Sequence, residues 1–165
     1  MKQIVSVMLV CILIFSLAGC GIGKKAEEKT AEALAEKAME QGGAKDVDID
    51  GDTMTIKGAD GQEVTISNKW PDSELGKSIP EFEKGRIDGT VETSISLMLT
   101  LYEVKQEDAA AYIKENKPNF PLDNTEMSAE GMISWGGTNE AGLRLALTHQ
   151  DDCLSIILTK EEKEK

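Results

Sequence analysis

From Val47 onward, apolar residues recur at every second position in several short runs, and this periodicity makes the chain mainly sheet. Ile95, Leu97, Leu99 and Leu101 alternate with Ser96, Met98 and Thr100, the clearest case. Successive side chains of a strand point to opposite faces, so such a run has one face to bury and one that tolerates water. Val47 and Ile49, Met54 and Ile56, and Val64 and Ile66 repeat the pattern in short form, with Asp50-Gly51 and Asp60-Gly61 as turn signals between them. That is the signature of a meander. Met132 to Trp135, Leu143 to Thr148 and Leu154 to Thr159 are further strands, with Gly136-Gly137 read as a bend or bulge and Asn139 to Gly142 as a turn. Trp70-Pro71 and Ile79-Pro80 break the ladder and turn Asn68 to Lys84 into an ordered loop.

One segment has helical period. Glu107 to Asn116 opens on Glu107 and Asp108, carries Lys114 and Lys117 near its end and stops at Pro118, so its charges complement the helix dipole. Ala109, Tyr112 and Ile113 form its apolar face. The expected fold is α+β: one domain over 44–160, a mainly antiparallel β-sheet of about six strands with one packed helix. A helical stalk precedes it. Lys24 to Gln41, ended by Gly42-Gly43, has Ala31, Leu34, Ala35, Ala38 and Met39 on one stripe, too thin to pack firmly. Glu32, Glu36 and Glu40 repel one another at i+4, which favours a solvated spacer of about 25 Å at 1.5 Å per residue. The tail 161–165 is charged.

The N-terminus addresses location. Met1-Lys2-Gln3 is a short positive start, and Ile4 to Ala18 is apolar except at Ser6 and Ser16. The run is shorter than the roughly 20 residues a spanning helix needs and is followed by charge, as in an export signal over 1–19. It ends in Leu17-Ala18-Gly19-Cys20, which resembles the lipobox of bacterial lipoproteins. The resemblance implies diacylglycerol transfer to the Cys20 sulfur, cleavage between Gly19 and Cys20, and a palmitate-bearing N-terminus over 20–43. Two acyl chains at ~0.8 kcal/mol per buried CH₂ hold a protein on a bilayer without a helix. The lipobox, the charged stalk, the Asp-Gly hairpins, Asn68-Lys69-Trp70-Pro71 and Ile79-Pro80-Glu81 together look like small Gram-positive lipoproteins of unknown function. That resemblance implies a cell-membrane location on the extracytoplasmic face and carries over no functional residue beyond Leu17, Ala18, Gly19 and Cys20.

Charge excludes one class of partner. With 30 Asp+Glu against 18 Lys+Arg and a net charge of −12, the chain lacks the clustered cations that neutralise phosphates, so no nucleic acid is expected. Asp46-Val47-Asp48-Ile49-Asp50-Gly51-Asp52 matches the opening of a calcium loop, but Lys57 stands where the closing Glu belongs. A hairpin explains the same residues, leaving Asp46, Asp48, Asp50 and Asp52 as weak metal candidates. Zinc needs clustered Cys or His, and the chain after Cys20 has only His149 and Cys153. Ser134, His149 and Asp152 could be nominated as a triad, but Gly131 to Gly136 has one residue too many for a nucleophile elbow, and His149 is expected at the surface end of a strand. Cys153, beside Asp151 and Asp152, is expected to be an unreactive thiol. No cofactor and no catalysis are expected.

The sequence thus points to a lipid-anchored, non-catalytic binding or interaction module for an envelope protein or peptide. The alternatives are a cation-binding module and an envelope hydrolase using unmarked carboxylates. Loops on a rigid sheet carry binding residues, so Trp70, Pro71 and Trp135 are the candidate partner contacts.

Overall fold

A computed structural model of the chain describes Lys37 and residues 46–58 and 61–160. The signal segment, Gly19 and Cys20, the spacer helix apart from an exposed, helical Lys37, Asp60 and the tail 161–165 lie outside the described residues. The chain divides into two compact units, Met1–Val64 and Thr65–Lys165.

In the first unit, β1 (Asp46–Asp50) and β2 (Thr53–Lys57) form an antiparallel hairpin, with Val47 opposite Ile56 and Ile49 opposite Met54. Val47 and Ile56 are buried, as the alternation requires. Asp50 pairs with Thr53, so the two-residue turn is Gly51-Asp52. Gly51 takes φ +57, the positive first angle of a type II′ turn, which glycine adopts without steric cost.

The second unit is mostly one antiparallel sheet. Thr65 to Ser67, the end of β3 (Glu63–Ser67), pair with β4 (Arg86–Glu92). From there the order is β3-β4-β5-β9-β8-β7-β6, through β5 (Ser96–Tyr102), β9 (Cys153–Lys160), β8 (Leu143–Gln150), β7 (Met132–Thr138) and β6 (Leu122–Ala129). One helix, α1 (Gln106–Asn116), packs on a single face of this sheet. On that face Leu97, Leu99, Leu101, Leu145, Leu147, Leu154, Ile156 and Leu158 have no exposed surface. Ala109, Tyr112 and Ile113 meet them from α1, and Leu75, Ile79 and Phe82 from the 68–84 loop.

The α+β class and the antiparallel sheet are as expected, but the described residues hold nine strands rather than about six. Two strands lacked a readable period. In β4 the register slips between Ile87 and Gly89, and this bulge breaks the alternation. In β6 all eight residues are exposed, so its sequence has no buried face to mark it. Two strand ends also moved. Ile95 lies in the turn before β5 and is 41% exposed. Gly136 and Gly137 are no bend: they pair with Ala146 and Leu145 in unbroken register. A Cβ on Gly137 would stand 2.6 Å from the Phe120 carbonyl oxygen and 2.9 Å from the Trp135 ring, so glycine is there for close approach.

The 68–84 loop is ordered, as its prolines foretold. Ser73 Oγ accepts from the Gly76 amide at 3.0 Å, and Ser78 Oγ donates to the Leu75 carbonyl at 2.6 Å around a short 3₁₀ turn. Tyr112 ties the loop to α1, its hydroxyl donating to the Pro80 carbonyl at 2.6 Å and its ring meeting Phe82 edge-on at 5.1 Å. Burial, opposed by a hydrogen bond from Asn116 and helped by the Glu115 charge, pushes the Tyr112 phenol far above its ordinary range.

Candidate functional site

Trp70 is half-buried, and its indole N–H donates to the Gly76 carbonyl at 3.4 Å. The buried Pro71 beneath it touches Gly76 so closely that a side chain there would strike the Pro71 carbonyl. Around the ring lies an open depression of about 680 Å³. Lys69, Asp72, Lys77 and Glu81 stand at its edge. Lys77 Nζ lies 2.6 Å from Asp72 Oδ1, and this hydrogen bond and charge hold the Asp72 carboxyl below the usual range. The depression thus combines an aromatic ring with a mixed-charge rim and is open to water.

Trp135 is different. It is 2% exposed, its N–H donates to Asn124 Oδ1 at 3.0 Å, and Asn124 Nδ2 donates in turn to the Phe120 carbonyl at 3.3 Å. This candidate contact ring is therefore a core residue that pins β6. The sequence context of Trp135 missed this because the depth of a strand residue depends on what covers it.

The aspartates of β1 also have local explanations. Asp46, Asp48 and Asp50 alternate with Val47 and Ile49 and are exposed, as is Asp52. Lys57 Nζ stands 3.8 Å from Asp46 and 3.9 Å from Glu63, placing a cation where a metal would need carboxylates. Among the described residues no group of three His, Cys, Asp or Glu is arranged to hold a metal ion.

The nominal triad is taken apart by register. Ser134 pairs with Thr148, and their hydroxyls share a hydrogen bond at 3.0 Å. His149 is the next residue along β8, so its ring lies on the opposite face. It is fully buried, against the expectation of a surface position, and Nε2 lies 2.8 Å from the Val104 carbonyl oxygen. Since a carbonyl only accepts, that nitrogen carries the proton, and Nδ1 is left without a partner. Cys153 is half-buried, and burial, then Asp152, then Asp88 push its thiol up, as its acidic neighbours suggested.

Comparison with known proteins found no matching family model, no matching curated protein and no matching solved structure.

Proposed function

We propose that this chain is a lipoprotein held on the extracytoplasmic face of the cell membrane by diacylglycerol on Cys20, where it acts as a non-catalytic interaction module. The observation that carries the reading is Leu17-Ala18-Gly19-Cys20 at the end of a 15-residue apolar run, Ile4 to Ala18. Small residues before the cysteine give a peptidase access to the backbone, and the thiol accepts the lipid. Trp70 supports the interaction role, since an aromatic ring in an open depression is a usual anchor for a partner. The partner class this fits is an envelope protein or peptide.

The test is Cys20→Ala in a producing cell fed labelled palmitate. The expected result is loss of the label and release from the membrane fraction; retained label on the variant would overturn the anchor. For the interaction, crosslinking on intact cells with mass spectrometry should find a partner that Trp70→Ala loses.

A further inference from the structure

Strand β6 ends the sheet order and pairs only with β7, so one of its sides has no strand beside it. Register decides which backbone groups are turned to that open side. The Asp151 amide, just past β8, donates to the Gly131 carbonyl, just before β7, at 3.2 Å. Backbone groups of an antiparallel strand turn to alternate sides, so Ile133 and Trp135 are bonded toward β8, and Met132, Ser134 and Gly136 toward β6. Their partners Ala129, Met127 and Thr125 are thereby bonded into the sheet. Glu126 and Ser128, between them, turn their N–H and C=O groups outward: two donors and two acceptors at strand spacing.

Sheet edges are usually blunted by lysine, proline or a bulge. In β6 the register slip and the positive φ of Asp123, +50, lie near its start. From Thr125 to Ala129 the register is unbroken and holds no Lys, Arg or Pro. The one charge in that stretch is Glu126, and Lys117 Nζ answers it at 2.8 Å. Met127, between the two open positions, is 57% exposed, more than any other large apolar side chain among the described residues. It points to the face away from α1, as its partner Ser134 does.

These groups fit a second copy of the same strand. A two-fold axis at Met127 sets Glu126 opposite Ser128 of the second copy, and Ser128 opposite its Glu126. Each pair exchanges both backbone hydrogen bonds, four in all, while Met127 covers Met127 and Thr125 meets Ala129. The neighbouring registers fail on charge. Centring on Glu126 puts that carboxylate against itself, and centring on Ser128 puts it against Glu130. The Met127 register instead sets each acid opposite an uncharged residue, Ser128 or Asn124.

We infer that β6 joins two copies of this chain edge to edge into one continuous antiparallel sheet, on a two-fold axis at Met127. The inference goes beyond the interaction role given to Trp70 and depends neither on that ring nor on Cys20. Five residues a side are few against the ~20 of a standard interface, so the pairing is weak. Each copy carries a net charge of −12, so salt, which screens like charges, favours it.

The test is sedimentation of the full chain in neutral detergent over a concentration series, at low and high salt. The expected result is a monomer–dimer equilibrium that tightens as salt is added. Ser128→Pro removes an amide that β7 does not use, so it should raise the dimer dissociation constant at least tenfold while the unfolding midpoint stays near the parent's. Independently of that variant, Met127→Cys in a Cys153→Ser background brings two thiols together on the axis and should give a disulfide-linked dimer with copper phenanthroline as oxidant. Thr125→Cys in the same background, about 14 Å along the strand from its own counterpart, should not. A chain that stays monomeric, a dimer that Ser128→Pro leaves intact, or a link formed equally by both cysteines would overturn the site. Met127→Cys linking on intact cells to a different protein, with no linked pair of this chain, would assign the edge to a foreign strand and overturn the second copy as its occupant.

Discussion

The two faces of one sheet carry opposite solutions to the same backbone. Toward α1, β5, β8 and β9 present leucine and isoleucine with no exposed surface. Away from α1, the intervening residues of those strands are mainly Ser, Thr, Ala, Met and Ile and are half-buried or exposed. Neighbouring residues of a strand therefore live in different media, and a substitution moved by a single position should change its cost several-fold.

The largest contrast is Ile156 against Ile157. Ile156→Ala opens a cavity among fully buried side chains and should lower unfolding free energy by about 2–5 kcal/mol. Ile157→Ala, on the outward row, should cost less than ~1 kcal/mol. Chemical denaturation of both variants checks the pair, and equal costs would mean the outward face is as tightly packed as the inner one.

Gly137→Ala comes next. Its Cβ meets backbone at Phe120 and the Trp135 ring, neither of which yields easily, so a loss of about 1–3 kcal/mol is expected. Gly136→Ala, whose nearest neighbour is the Thr125 hydroxyl at 3.2 Å, should cost clearly less in the same measurement.

Tyr112 gives the helix side a pH signature. Burial keeps its phenol protonated in the folded chain beyond its ordinary 10.0, while the unfolded chain releases that proton. Stability attributable to this group is thus complete below pH 10 and declines as pH rises above it. Tyr112→Phe should lose about 1 kcal/mol at neutral pH through the stranded Pro80 carbonyl and show a shallower alkaline decline. An unchanged alkaline slope would place the titration elsewhere.

The smallest effect belongs to the outward hydroxyls. Ser134→Ala breaks a half-buried pair with Thr148 and should shift stability by no more than ~0.5 kcal/mol. A larger loss would show that this row is sequestered.

Legibility followed the same division. Where one face is buried, as in β5, β8 and β9, alternation gave the strand directly, and α1 was marked by its charged ends and its proline stop. The bulged β4 and the wholly exposed β6 carried no such contrast. Trp70 was readable as a candidate contact because Pro71 announced a loop. Trp135 and His149 were misplaced, because both sit on strands whose inner face is known only once α1 and the loops have closed over it. That Val91, Met98 and Ile157 stand side by side on the outward face had no sequence signal, because they come from three strands and meet only through register.

The sequence alone determined the features whose cause is local. These are the period-two strands, the helix with its charged ends, the turn glycine at 51, the acidic balance, and the lipobox-like Leu17 to Cys20 on which the anchoring proposal depends. Each follows from residues within a few positions of one another, where conformational preference and side-chain chemistry act directly. Tertiary structure decided which way each strand faces, that Trp135 and His149 lie inside, and that Ser134 is held apart from His149. Those depend on cross-strand register and on which face a helix covers, and both are set by burial summed over the whole sheet.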